Sequence, residues 1–473
     1  MNRKMRGASQ DRTISNTASL IMTLIAVGSL AMVWGFYYNK IVFRTHRELG
    51  YIATLLVYLV IYLKSASVYR AFKIASSSIG ETAFSQYIAL ALADGIVYME
   101  GCLIARRYIN ILPGIFTVMV QFVAAFVWAT LTKRYFLAHV EPQKCILIYD
   151  ASETGLEAVK TFVGKIEKYY GHLFEIVGRI PVEKVGELSK TLHEYPVVFL
   201  YGVQYEARSR MMEYCVVTDK KLYLTPNVED VIAKGFRVKN LIDTPLYGYE
   251  GTNHHRATYA AIKRVLDVVT SLIFLIPAAP VMLVTALCIK LEDGGDVFFR
   301  QKRVTTGGKV FDILKFRSMV MDAEKDGKPR PCVAGDDRVT KVGKMIRATR
   351  IDELPQIFNI LSGDMSWVGP RPERVEHVEI FTREIPEFRY RLWVKAGLTG
   401  YAQIYGKYNT SAQDKLLLDL LYIEQQSFLL DLKILFLTVK TMFTPEATEG
   451  FEEEKSKAIN KISRAEEKET VSA

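Results

Sequence analysis

The chain divides into a membrane α part and an α/β part, and three observations predict this. Four long apolar segments crowd the first 140 residues. From Lys144 the pattern switches to short apolar runs alternating with helical stretches. A further apolar run, interrupted by prolines, then leads into a basic stretch around Asp352 and Glu353. A length of 473 residues exceeds one ordinary core, so two or three domains are expected. Half of the residues are hydrophobic and the formal charge is +10. That balance fits an anionic membrane surface or phosphorylated substrates, and no basic, aromatic-interleaved block points to nucleic acid. The five cysteines show no CxxC spacing, which argues against a zinc site and disulfides. No cleavable signal peptide is expected, because the first apolar run is too long for one.

Residues 1–140 are expected to form a four-helix transmembrane bundle. Ala18 to Tyr38 and Tyr108 to Thr132 are uncharged and long enough to span. Leu49 to Tyr69 spans if Lys64 snorkels. Phe84 to Ile104 contains Asp94 and Glu100, read as facing the bundle interior or lying near an end. Basic residues concentrate before the first span, between the second and third, and after the fourth. The positive-inside tendency therefore places the N-terminus, and all that follows residue 134, in the cytosol.

Residues 143–245 are predicted to form a doubly wound, Rossmann-like α/β domain. Lys144 to Tyr149, Phe174 to Ile180, Val197 to Tyr201 and Lys221 to Leu224 suit strands, and Gly155 to Tyr170 a helix. A dinucleotide would need a glycine-rich turn after the first strand. The chain has Asp150-Ala151-Ser152-Glu153-Thr154-Gly155 there, with two acids and one glycine, so no dinucleotide fingerprint is present.

Residues 260–291 are expected to make a re-entrant membrane hairpin. Val265 to Ile289 is apolar apart from Asp267, but Pro277 and Pro280 interrupt it and both flanks are basic. A segment entering and leaving one leaflet keeps those flanks, and Asp352, on the cytosolic side. Its break falls at these two prolines.

The chemistry is expected within residues 291–443. Phe299 to Arg303, Thr305 to Lys309 and Lys315 to Met319 form a basic, partly glycine-rich approach, joined by Arg338, Lys341, Lys344, Arg347 and Arg350. Arg371 stands between two prolines, and its planar fork suits phosphate. Asp352 and Glu353 are adjacent, so they do not face one another as a glycosidase pair must. Pro355 fits a first helical turn, which puts Asp352 near a helix N-terminus, where positive charge keeps a carboxylate ionised. A carboxylate so placed can attack phosphorus to give an acyl phosphate. Leu416 to Phe443 suits amphipathic helices at the interface, and residues 444–473 a disordered tail.

At these residues the chain resembles the bacterial sugar transferase family, the monotopic phosphoglycosyl transferases. The matching text is Lys263-Arg264-Val265-Leu266-Asp267, Phe299 with Gln301 and Arg303, Lys315 to Met319, Asp352 to Gln356, Asn359, Gly363 to Pro372, and Gly397 to Gln403. The resemblance covers residues 262–443, and the membrane and middle domains look like the long form of the family. It implies a re-entrant-hairpin, monotopic, α-rich catalytic domain, with the hairpin's break at Pro280. It also implies that Asp352 attacks the β-phosphorus of a UDP-sugar, releasing UMP, and that undecaprenyl phosphate then takes the sugar phosphate. This would be the first membrane step of capsule, exopolysaccharide or O-antigen-like glycan synthesis. Glucose and galactose are the sugars it brings forward. Mg²⁺ is the implied cofactor, with Asp352 and Glu353 as its protein ligands; Glu353 binding metal or handling protons stays open. Lys315, Arg317, Arg347, Arg371, Gln301, Arg303, Asn359 and Gln403 are the candidate phosphate and substrate ligands. The implied setting is the bacterial inner membrane, multi-pass, with the catalytic domain on the cytosolic face and room for a homodimer. A scaffold that has kept the fold without catalysis is the alternative.

Two departures from the family pattern stand out. The family usually has proline where this chain has Ala396, and a glycine soon after Gln301 and Arg303, where this chain continues Val304-Thr305-Thr306-Gly307. Both bear on loop stiffness, and so on substrate fit, more than on charge.

Overall fold

The computed structural model describes residues 2–43, 47–184, 192–241, 244–248, 253–321, 323, 336–406 and 410–442. The expected tail, residues 444–473, lies outside them. The chain falls into two compact units, Met1–Thr225 and Pro226–Ala473.

In the first unit each long apolar segment is a helix. The helices are Asn2–Val33, carried on to Val42 through a wide turn at Trp34–Tyr38, then Arg47–Val68, Ile79–Ala105 and Leu112–His139. Ser78 and Glu81 cap the third reciprocally, which fixes where it starts. Leu24, Phe36, Leu56, Phe116 and other large apolar side chains point outward, as lipid contact requires. Polar groups turn inward and bond between helices, since hydrocarbon offers no partner. Gln121 Nε2 donates to Ser29 Oγ at 2.9 Å and to Tyr58 Oη at 3.2 Å. Trp128 Nε1 donates to the Ala18 carbonyl at 3.0 Å. Asp94 lies against Tyr58 and Gln121.

Four parallel strands follow, β1 (Gln143–Tyr149), β2 (Phe174–Pro181), β3 (Val197–Tyr201) and β4 (Lys221–Leu224), in the order β2-β1-β3-β4. Alternation along the two central strands feeds both faces. Cys145, Leu147, Val197 and Phe199 pack on Val159, Val163 and Ile166 of the helix Ala151–Tyr170. Ile146, Ile148, Val198 and Leu200 pack on Met211 and Cys215 of the helix Tyr205–Val217. The strands expected from the sequence are all present, and the segment after β1 breaks at Gly155, whose φ is 67°, beyond which the expected helix runs on to Tyr170. Lys133, near the end of the last apolar helix, donates to the carbonyls of Ile74 and Ala75 at 3.0 Å each. His172, in the turn before β2, contacts the same Ala75 carbonyl and so ties the helices to the sheet's unit.

The second unit is built on short ladders. β5 (Arg237–Leu241) pairs antiparallel with β6 (Thr244–Gly248), β7 (Phe298–Val304) antiparallel with β8 (Val310–Phe316), and β9 (Met365–Val368) parallel with β10 (Ala396–Thr399). The interruption expected at Pro280 is not present as a break: one helix, Asn253–Asp293, runs through Pro277 and Pro280. An internal proline costs about 3 kcal/mol, and packing here offsets it. Ala278, Met282 and Ile289 are buried against Phe316, Ile346 and Ile357. Its part Thr258–Asp293 is the fifth helix long and apolar enough to cross a membrane. Both of its ends are tied to the same unit. Near one end Arg264 donates to the carbonyls of Ile360 and Leu361, and Asp267 accepts from the Trp367 amide at 3.3 Å. At the other, Asp293 pairs with Arg317.

The C-terminal helices Ala412–Glu424 and Phe428–Met442 close the core around Val368 and Phe388. Asp431 accepts from Tyr259 at 2.6 Å, from Lys263, and from Tyr422 at 2.8 Å. This joins the start of the long helix to the chain's last helix.

Candidate active site

The site is assembled by one buried amide. Asn359, on the helix Gln356–Ser362, donates through Nδ2 to the Asp312 carbonyl at 2.8 Å and accepts from the Leu314 amide at 2.9 Å. The helix is thereby clamped to β8, and Lys315 of β8 is brought to the turn that precedes the helix. That turn, Ile351–Glu353, follows Arg350, whose φ of 58° lies in the left-handed region. A side-chain-bearing residue is strained there. The reversal nevertheless turns the chain from the helix Lys341–Ala348 into the acidic pair.

The Arg371 loop is anchored by main chain. The Gly369 amide donates to the Thr399 carbonyl at 2.9 Å and the Gly397 amide to the Pro370 carbonyl at 2.9 Å. A Cβ on Gly397 would sit 2.1 Å from the Gly369 nitrogen, and one on Gly400 2.1 Å from the Gly369 oxygen. Only glycine permits this approach. Arg371 then reaches Glu353. Glu353 Oε1 accepts from Lys315 Nζ at 2.7 Å and from Arg371 Nη2 at 2.8 Å, with its side chain 14% exposed. Burial alone would favour the neutral acid, but the Lys315 and Arg371 charges overcome it and hold Glu353 well below the usual carboxylate range.

Asp352 differs in every respect. Its Oδ1 is buried without a hydrogen-bond partner among the described residues. Burial, reinforced by the neighbouring Glu353 charge, pushes its carboxyl up, and Lys315, Arg350 and Arg347 oppose this. The adjacent acids thus have separate environments: one saturated by cations, the other left with an unused oxygen.

The other candidates sort by what they touch. Arg347 lies within electrostatic reach of Asp352. Arg303 donates to the Pro372 carbonyl at 3.0 Å and to Gln301 Oε1 at 2.6 Å, bracing the loop just after Arg371. Burial, then the Arg371 charge, lowers the Arg303 guanidinium to about 10. The remaining candidates bond into the fold. Arg317 is paired with Asp293, Asn359 is the clamp, and Gln403 donates to the Leu398 carbonyl at 3.2 Å. Sequence reasoning counted Arg350 in the basic approach but passed over Glu373, Arg391, Lys415 and Asp419. The last four make a second charged cluster behind the Arg371 loop.

The residues present can accommodate a magnesium ion in part. Mg²⁺ takes one or two carboxylates together with water and substrate phosphates, and Asp352 supplies an unpartnered oxygen. Among the described residues no group of three or more metal-ligating side chains gathers, so an ion would lean on substrate oxygens.

Comparison with known proteins falls on this same half. The model of the bacterial sugar transferase family matches residues 258–445. A UDP-N-acetylgalactosamine-undecaprenyl-phosphate N-acetylgalactosaminephosphotransferase of Aeromonas hydrophila is 40% identical over 238 residues, 50% of this chain and 55% of that protein. A UDP-glucose:undecaprenyl-phosphate glucose-1-phosphate transferase of Klebsiella pneumoniae is 43% identical over 299 residues, 62% of this chain and 60% of its own length. One of the same description from Caulobacter vibrioides is 44% identical over 193 residues, 39% of this chain and 70% of its own length. Against the Aeromonas and Klebsiella relatives the chain spans little more than half their length. With the match centred on the acidic pair and the Arg371 loop, the chain belongs to the bacterial sugar transferase family.

Proposed function

We propose that the protein transfers a sugar 1-phosphate from a UDP-sugar to undecaprenyl phosphate through an aspartyl intermediate on Asp352. The observation that carries this is the contrast within the acidic pair. Asp352 keeps an unpartnered oxygen beside cations, while Glu353 is spent on Lys315 and Arg371. The names of the relatives support the substrate classes. Since those names include both glucose and N-acetylgalactosamine, the sugar is left to the assay.

In the first step an Asp352 oxygen forms a bond to the β-phosphorus, the bond to the UMP oxygen breaks, and UMP leaves with that electron pair. In the second, a phosphate oxygen of undecaprenyl phosphate bonds to the same phosphorus. The aspartyl oxygen leaves, which restores the carboxylate. Arg371 and Lys315 hold Glu353 as a fixed anion and keep their remaining donors for phosphate oxygens, whose charge spreads in the transition state. Glu353 orients both cations and repels Asp352 electrostatically, which sharpens its nucleophilicity once it is ionised. A bound Mg²⁺, held by Asp352 with Glu353 near it, would neutralise phosphate charge. The alternative, a scaffold without catalysis, gives no reason for a buried carboxylate oxygen left without a hydrogen bond beside three cations.

The catalytic half is placed on the cytosolic face of the inner membrane, with the helix Thr258–Asp293 entering and leaving one leaflet. Support comes from the ties at its ends. Unbent, the stretch from Arg264 to Asp293 would be roughly 44 Å long, more than a hydrocarbon core of about 30 Å. Yet Arg264 bonds Ile360 and Asp293 bonds Arg317, while Phe316 packs on Ile357. One body holding both ends suits a bent, re-entrant course. The test is purified protein with Mg²⁺, undecaprenyl phosphate and a panel of UDP-hexoses and UDP-N-acetylhexosamines. UMP release from one of them is expected, and a folded protein that releases UMP from none sinks the reading.

A further inference from the structure

Behind the Arg371 loop lies a set of charges that the two-step chemistry does not use. Arg391, 4% exposed, sits in the turns Pro386–Trp393, and Asp419, 1% exposed, on the helix Ala412–Glu424. Arg391 Nε donates to Asp419 Oδ2 at 2.6 Å, and Arg391 Nη2 donates to the backbone carbonyl of Arg371 at 3.0 Å. Its Nη1 lies 3.8 Å from Glu373 Oε1, which accepts from Lys415 at 2.9 Å. One planar group therefore grips the C-terminal helix and the main chain of the residue that meets Glu353.

Stability is a poor reason for this cluster. Buried ion pairs often contribute less than apolar residues of the same volume would, because desolvation offsets their attraction. Among the described residues Asp419 Oδ1 is buried without a hydrogen-bond partner, so the pair is not even saturated. A small cavity lined by Arg371, Pro372, Glu373, Phe388, Arg391 and Ala396 borders the loop, so its packing there is incomplete. The prolines restrict the torsions on either side of Arg371. The main-chain bonds of Gly369 and Gly397 hold the start of the loop, and the bond to the Arg371 carbonyl adds a hold at Arg371 itself.

We propose that Arg391 is a positioning residue of the phosphate site: through the Arg371 carbonyl it sets where the Arg371 guanidinium is presented, and Asp419 holds Arg391 in that pose. The helix Ala412–Glu424 is thereby part of the site's support. The proposal rests on the transferase reading. Lysine at position 391 keeps the charge but, as a point donor, cannot serve the carboxylate and the carbonyl with one rigid fork.

The test uses the full-length protein in nanodiscs, with UMP release as the readout. Arg391→Lys is expected to lower kcat on the order of 10- to 100-fold, the scale of a small misplacement, with KM for the UDP-sugar changed much less. Added to Arg371→Ala it should cost no more than Arg371→Ala alone, since it acts through that residue. Asp419→Asn, which keeps the acceptor and removes the charge, should show a smaller loss of the same kind, and is read in its place if Arg391→Lys does not fold. A wild-type kcat in these variants, or losses that multiply with that of Arg371→Ala, overturns the proposal. Silence of the wild type with every UDP-sugar overturns the transferase reading itself, and this proposal with it.

Discussion

The sheet β1–β4 and the short ladders β7–β10 bury polar groups in opposite ways. At the sheet's centre the interior is apolar: Cys145 to Ile148 and Val197 to Leu200 are all buried between two helical layers. In the second unit the buried set includes Arg317, Asn359, Arg391, Asp419 and Asp431, each bonded to a specific partner. Two-stranded ladders cannot cover themselves, so side-chain amides, ion pairs and glycine contacts take over the placing of one segment against another. A layered sheet tolerates loss of packing as loss of stability alone. A region placed by charges and amides turns a small displacement into lost chemistry.

Five substitutions or conditions would break or sharpen that contrast. Asp352→Asn should remove the covalent sugar-phosphate adduct and lower UMP release on the order of 10³-fold or more. Intact-mass measurement of the trapped adduct checks it, and an adduct that persists moves the nucleophile elsewhere. Arg371→Ala should lower kcat about 10²- to 10³-fold, as loss of one transition-state donor does. Steady-state rates decide this, and a fall below tenfold would leave Lys315 as the main cation.

The third is pH. Because burial and the Glu353 charge raise the Asp352 carboxyl, ionised Asp352 is lost on acidification above the ordinary aspartate value of about 3.9. Glu353→Gln removes that charge and should move the acid limb of adduct formation to lower pH; a single-turnover pH profile whose limb stays or rises refutes it. For stability the two acids have opposite signs. Ionised Asp352 costs stability above its raised pKa, and the cost is relieved as pH falls through it. Glu353 contributes stability above its unfolded value, lost only as pH falls through its lowered one.

Fourth, Gly397→Ala drives a Cβ into the Gly369 nitrogen and should destabilise by about 1–3 kcal/mol. It should lower kcat as well, because the Arg371 loop must move. Thermal unfolding with parallel rates tests the coupling. Last, Leu147→Ala in the apolar sheet should cost about 2–5 kcal/mol with no change in kcat per folded molecule. A proportional fall in kcat would show that the sheet shapes the site after all.

The layered sheet was legible in the sequence because β1 and β3 are short, continuous apolar runs, buried on both faces, set between helical stretches. The pairing of Asp352 and Glu353 was legible as adjacency, and Pro355 marked the helix start. What stayed hidden depends on tertiary contact. Asn359 and Arg317 stood out in the sequence as candidate ligands, and nothing in it announced their bonds to Leu314, Asp312 and Asp293. Arg391 acts on a main-chain carbonyl, and a carbonyl leaves no mark in a sequence. The long apolar helix is continuous through Pro280, where Ala278 and Met282 pack into the domain, a gain that local reasoning on the proline penalty leaves out. Ala396 is instructive in the other direction. Its N–H donates to the buried Thr305 hydroxyl at 3.1 Å, a bond proline cannot make. The stiffness a proline would supply is replaced by a tether.

The main-chain contact between Gly369 and Gly397 also has a bearing on how such an enzyme can diversify. A grip made by backbone atoms carries no side chain to substitute, so drift at neighbouring positions leaves the Arg371 loop where it is. On the proposed reading, residues around the sugar can then be exchanged while the hold on phosphate persists, and the part shared by all nucleotide sugars is insulated from the part that tells them apart.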